Sequence, residues 1–167
     1  MSASDRTPLA SSWTLDRELT TVTFLAKAMG IFTVRGSLRA TEGSADVDAA
    51  GRANGNLVID PATIDTGNSK RDKHLRSADF FDVGAHPSIT FTADDAGPLS
   101  SDRFQVLGAV TVLGRTTLVT FTAAVESTGG SATVVAEVPV GEQILGINHR
   151  AARTMSLVTV RAHFKRM

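Results

Sequence analysis

Cysteine is absent from the 167 residues, which excludes thiolate nucleophiles, disulfides and thiolate metal sites. An excess of one charge is also missing, with 17 basic against 17 acidic side chains. A balanced chain lacks the bias that draws a protein to nucleic acid or to an anionic membrane. No stretch approaches the roughly 18 apolar residues of a spanning helix, and Met1 to Ser12 shows neither the basic nor the apolar region of a signal peptide. These absences lead to the expectation of a soluble, cytoplasmic protein with no nucleic-acid partner and no stable membrane insertion.

Catalytic signatures are missing as well. There is no G-x-S-x-G elbow, no G-x-x-x-x-G-K-[ST] phosphate loop and no G-x-G-x-x-G dinucleotide turn. His74, His86, His149 and His163 are scattered and form no HExxH pair, whereas a metal site needs several ligands meeting in space. The expectation is therefore no catalytic set, no metal and no cofactor, in a binding protein rather than an enzyme.

What the chain does contain is alternation of apolar and polar residues, the mark of strands with one buried face. Phe32, Val34, Gly36, Leu38 and Ala40 alternate with Thr33, Arg35, Ser37 and Arg39. Phe104, Val106, Gly108, Val110 and Val112 repeat the pattern, as do Thr117, Val119, Phe121, Ala123 and Val125 beyond a turn at Gly114-Arg115. Weaker alternation predicts strands over 20–27, 52–59, 88–93, 131–138 and 156–164, about eight in all. Small polar clusters at 42–51, 94–102 and 127–130 read as turns between antiparallel neighbours. The length suits one domain, set here at 11–167 behind a flexible N-terminus over 1–10. Periodicity does not choose between a closed barrel and a sandwich.

The inward faces mix small residues, Gly36, Gly55, Gly108 and several alanines, with Phe24, Phe32, Phe104 and Phe121. An eight-stranded barrel is just wide enough to be filled by side chains or to hold one ligand. The small residues predict unfilled interior volume; facing large side chains interdigitating with them is the competing outcome.

Two segments break the alternation. Between Pro61 and Ala85 a charged run over 70–76 is followed by Phe80 and Phe81. Asn68 or Ser69 can cap a short helix there and Leu75 can anchor it, forming a lid over one barrel end. Asp72 and Arg76 are placed as i,i+4 partners on that helix, with His74 capping a carbonyl. The second segment, Pro139 to Thr154, reads as a strand end followed by a loop or short helix facing the same space.

The run Asp72, His74, Leu75, Arg76, Ser77, Asp79, Phe80, Phe81, Asp82, Val83, then Pro87, Ile89, Thr90 and Phe91, closely resembles the signature of YceI-like proteins. Trp13, Leu15 and Asp16, Ile64 to Thr66, and Gly108, Val110, Thr111, Gly114, Thr116 and Val119 match around it, so the resemblance spans roughly 13–164. It implies an all-β fold, a single eight-stranded antiparallel lipocalin-like barrel, with a short helical or irregular lid. It also implies an interior pocket for a polyisoprenoid, an isoprenoid quinone or a similar long-chain lipid, held for transport, storage or sensing. The family's final loop carries an Arg and an aromatic-Gly pair where Glu142 to Ile147 stand here, so no head-group preference is carried over.

Under this reading the ligand-contacting candidates are Phe24, Phe32, Val34 and Leu38; Leu57 and Ile59; Phe80, Phe81 and Phe91; and Phe104, Val106, Val110 and Phe121. The alternatives are an enzyme acting on an isoprenoid or lipid through His74 or Arg150, and a filled barrel serving as an interaction module. A homodimer is left open as the assembly.

Overall fold

The computed structural model describes residues 10–28, 32–141 and 156–167, with the backbone alone at positions 28 and 32. Nine strands and one helix follow in order: β1 (Ser11–Leu15), β2 (Thr21–Ala28), β3 (Phe32–Val47), β4 (Ala53–Asp65), α1 (Ser69–Arg76), β5 (Ile89–Pro98), β6 (Arg103–Val112), β7 (Arg115–Thr128), β8 (Ser131–Val140) and β9 (Ser156–Arg166). Neighbours pair antiparallel from β2 through β9, and β2 pairs β9 to close the ring. Closure removes the unpaired edges that an open sheet exposes.

The ring has eight staves, because β1 and β2 share one. Both run antiparallel to β3 and β9, with β1 against Ser44 to Val47 and β2 against Phe32 to Leu38. Between them the chain turns over Asp16 to Thr20 and stays fastened to β9. Asp16 N–H donates to the His163 carbonyl at 2.7 Å, and His163 N–H donates to Thr20 Oγ1 at 3.1 Å. The resemblance marks Trp13 and Leu15 as a first strand; alternation alone does not show one, since five residues hold only three positions on that face and one of them is Ser11.

Strands run past the predicted turns for one physical reason. Register shifts between Ala40 and Glu42 and between Ala93 and Asp95 mark bulges, each placing an extra residue in one strand. Inward positions move from Val34, Leu38 and Ala40 to Gly43, Ala45 and Val47, and from Phe91 and Ala93 to Ala96. A pattern with period two is broken by such a phase change. Hence 42–47 and 94–98 are strand, and β4 continues through the buried Pro61 and Ile64 to Asp65.

Pro139 does not end its strand. It pairs with Leu157 of β9, while pairing of β8 with β7 stops at Ala136, so the missing N–H falls where β8 has a single neighbour. The β6–β7 turn is one residue earlier than predicted. Leu113 and Gly114 both have positive φ, 54° and 75°, between paired Val112 and Arg115. That is the twist-matched two-residue hairpin, with a leucine in a conformation that favours Asn or Gly.

Antiparallel connection puts α1, the β6–β7 turn and the ends of β2, β4 and β8 at one end of the barrel, called here the α1 end. The β1 end carries the β3–β4, β5–β6 and β7–β8 connections. The wall is tightest where Val22, Ala40, Leu57 and Ile59 meet, and where Ala96, Val106, Ala123 and Ala136 meet. Full burial of a side chain such as Val22, 1% exposed, contributes about 1.5–3 kcal/mol.

Candidate functional site: an apolar lumen with a basic mouth

Inside the ring lies a cavity of about 890 Å³. Ligand pockets span roughly 300–1,000 Å³, so the space suits a long chain rather than a few waters. All staves contribute. Phe24 comes from β2, Val34 and Leu38 from β3, and Leu57 and Ile59 from β4. Phe91 stands on β5, Phe104, Val106 and Val110 on β6, and Phe121 on β7. Phe80 and Phe81 reach the cavity from the chain following α1. Thus every sequence candidate lies on the wall except Phe32, whose side chain is outside the described residues. Val134 and Val138 on β8 and Val158, Val160 and Phe164 on β9 also line it and were not among the candidates. Their signal was present, since Val158, Val160, Ala162 and Phe164 alternate with Thr159, Arg161 and His163.

The inward glycines act differently from the expectation. They do not leave local space: at Gly36 an aromatic ring fills it, at Gly108 the Thr92 carbonyl and an aromatic ring, and at Gly55 the Ser44 carbonyl and Ala45. A Cβ on Gly36 meets Phe24 Cζ at 2.3 Å, and one on Gly108 meets the Phe91 ring at 2.9 Å. The tip of each ring therefore lies over a glycine of the neighbouring strand, an arrangement that also pins register. Phe91 further contacts Phe121, with centroids 5.5 Å apart. Because the rings hug the wall, the lumen between them stays open. Large and small residues interdigitate within the wall, as the competing outcome supposed, while the unfilled volume lies along the axis.

The α1 end is built by a local network. Asn68 caps the helix, its side chain accepting from Arg71 N–H at 3.0 Å. Asp72 is buried and does not pair with Arg76. Its carboxylate accepts from Thr66 N–H at 3.0 Å and from the Thr66 hydroxyl, tying α1 back to the end of β4. Arg71 completes the triangle, donating from Nε to Thr66 Oγ1 at 2.8 Å and from Nη2 to the Thr66 carbonyl at 2.9 Å. His74 pairs with an acid. Its Nε2 meets Asp79 Oδ2 at 2.8 Å, and its ring stands edge-on to Phe80 with centroids 5.0 Å apart. Ser77 takes the capping role, its N–H and hydroxyl both donating to the His74 carbonyl.

Polar groups on the cavity wall are unevenly charged. Lys27, Arg71 and His74 line it at the α1 end, and no Asp or Glu lines it among the described residues. Sequence reasoning singled out His74 but missed Lys27 and Arg71, since a basic residue next to a helix cap looks like ordinary surface. His149, Arg150 and Arg153 lie outside the described residues. Among those described, no group of three acidic or imidazole side chains is placed to hold a metal ion, and no helix is long and apolar enough to cross a membrane.

A closed antiparallel barrel around one apolar lumen, capped by a short helix, is the class these features define. Residues 13–165 match the YceI-like domain, and the chain belongs to that family. A UPF0312 protein of Azotobacter vinelandii is 30% identical over 112 residues, covering 65% of this chain and 58% of its own length. A UPF0312 protein of Yersinia enterocolitica is 33% identical over 116 residues, 67% of this chain and 60% of its own. The chain thus spans about three fifths of the length of the curated relatives it matches. Two solved structures share the fold. BcnA of Burkholderia cenocepacia has a TM-score of 0.77 at 19% identity, over 89% of this chain and 98% of that one. A polyisoprenoid-binding domain of Saccharophagus degradans has a TM-score of 0.71 at 15% identity, over 93% and 98%.

Proposed function

We propose that this protein binds a long-chain apolar molecule, a polyisoprenoid, isoprenoid quinone or similar lipid, within the barrel, and carries, stores or senses it. The observation that carries this reading is the continuous apolar cavity of about 890 Å³ running inside a closed sheet. Each buried CH₂ of a chain contributes about 0.8 kcal/mol on leaving water, so affinity rises with length until the lumen is filled. The polyisoprenoid-binding description of the Saccharophagus degradans neighbour supports the ligand class. The family membership supports a binding protein rather than an enzyme.

An enzymatic reading has one observation in its favour, the His74–Asp79 pair at the mouth. Both members are about half exposed, at 51% and 58%, which leaves a reacting group there open to water. The binding reading accounts for the whole lumen, and the pair accounts only for the fold of the turn after α1.

Val106→Trp tests the reading. Val106 is 7% exposed, among Ala96, Ala123 and Ala136, and an indole there projects into the axis. The expected result is a folded protein whose affinity for a long prenyl or acyl chain falls sharply. Binding as tight as wild type shows that this wall does not contact the ligand. Loss of folding, with overpacking costs of about 1–3 kcal/mol or more, favours a filled barrel.

A further inference from the structure

Among the described residues the cavity wall carries positive charge at one end and none of the opposite sign. Arginine has five N–H donors in a planar fork. Arg71 directs two of them inward to Thr66, and the remaining edge has no partner among the described residues. Its neighbour Asp72 faces Thr66, sharing that hydroxyl, and so fixes the inner edge of the guanidinium without covering the outer one. Neither Arg71 nor Lys27 forms an ion pair among the described residues, whose ion pairs are Arg52–Asp95, His74–Asp79 and Lys165–Asp16. Helix α1 itself also carries Lys70, Lys73 and Arg76 against one acid, the buried Asp72, while Asp79 at the mouth is paired with His74. An arginine held by its inner edge, with its outer edge on an apolar cavity, is preorganised for a paired oxyanion.

We propose that this mouth is the head-group site. Arg71, with Lys27 on the same rim, receives the anionic oxygens of a carboxylate or phosphate head, and the apolar chain runs from there toward the β1 end. This rests on the reading of the lumen as a lipid site and assigns the ligand a charge and a direction. The uncharged polar lining toward the β1 end, such as Ser101 and Ser127, offers no competing place for an anion.

The test uses delipidated full-length protein titrated below micellar concentrations with four probes of one chain length: hexadecyl phosphate, palmitate, hexadecanol and hexadecyltrimethylammonium. The two anions are expected to bind about tenfold or more tighter than the alcohol, the share of a charge-assisted hydrogen-bond pair, and the ammonium weaker than the alcohol. Added salt should shrink the anion preference. In Arg71→Gln the anion-to-alcohol ratio is expected to fall about tenfold, and in Arg71→Lys by less, because a point charge replaces the fork. Lys27→Gln, outside the Thr66 network, gives a smaller fall and stands alone if Arg71→Gln does not fold. Comparing phosphate with carboxylate shows which oxyanion is preferred. Equal binding of anion and alcohol by wild type overturns the proposal, as does a ratio unchanged in both Gln variants. Inorganic phosphate that competes with the anions no better than with the alcohol also overturns it, since the anionic head would then not sit in an anion site. Failure of every probe to bind would instead refute the lipid reading.

Discussion

Replacing Gly36 by alanine places a methyl carbon 2.3 Å from Cζ and 2.6 Å from Cε1 of Phe24. Carbon atoms rest at about 3.5–4.0 Å, so the ring tip must retreat by roughly 1.2–1.7 Å. The backbone at position 36 is not among the positive-φ glycines, so the alanine itself is unstrained. Thr66 Cγ2 lies 3.0 Å from the new methyl, which closes the direction toward the mouth and leaves the lumen. A ring pushed off its rotamer costs about 0.5–1.5 kcal/mol. For a chain of this length that lowers Tm by roughly 1–6 °C. The ring then occupies axial space, and affinity for a long chain falls by far more than stability does. Thermal melts beside a lipid titration measure both effects. Phe24→Leu combined with Gly36→Ala removes the clash and should recover much of the binding, a coupling read from the double-mutant cycle. An unchanged Tm with unchanged binding in Gly36→Ala refutes the ring-on-glycine wall. A loss beyond about 3 kcal/mol indicates that no free lumen exists to receive the ring, as for overpacking in a filled core.

Asp72→Asn leaves Thr66 N–H without its carboxylate acceptor, and hydrogen bonds to a charged group contribute about 1.5–3 kcal/mol; chemical denaturation should show a loss of about 2 kcal/mol, and no loss would remove Asp72 from the scaffold. Leu113→Asn replaces a residue with φ 54° by one that tolerates the left-handed region, and should stabilise by roughly 0.5–1 kcal/mol; a lower Tm would contradict the turn. The Asp16 carboxyl is held below its ordinary value chiefly by its hydrogen bond with Lys165. A depressed folded-state pKa gives stability that is present above the unfolded value and lost as pH falls through the folded one. Melts between neutral and strongly acid pH should therefore be flatter for Asp16→Asn than for wild type, and identical slopes would refute the linkage.

Much of the barrel was legible from period-two alternation, and the wall was legible with it, since Phe104, Val106 and Val110 could only share one face. What hid from the sequence were changes of phase. The bulge between Ala40 and Glu42 turns the inward set from even to odd numbers, so Gly43, Ala45 and Val47 looked like turn residues. The role of glycine was hidden because it is a cross-strand fact: Gly36 has meaning only once Phe24 is known to sit opposite it. Arg71 escaped for a similar reason. Its partner, Thr66, belongs to the chain leaving β4, and nothing in their spacing shows that a threonine will hold the inner edge of the guanidinium. Asp72, expected to pair with Arg76 along the helix, is instead drawn to a backbone N–H and a hydroxyl that spacing on a helix does not reveal.

Native mass spectrometry of the protein purified without detergent, followed by organic extraction and by reloading of the emptied protein with a polyprenyl chain, bears most directly on the lumen as a lipid site. The expected result is a discrete apolar adduct on the purified protein and one chain taken up per molecule on reloading. A bare mass in the first step together with no uptake of any long chain in the second would contradict it.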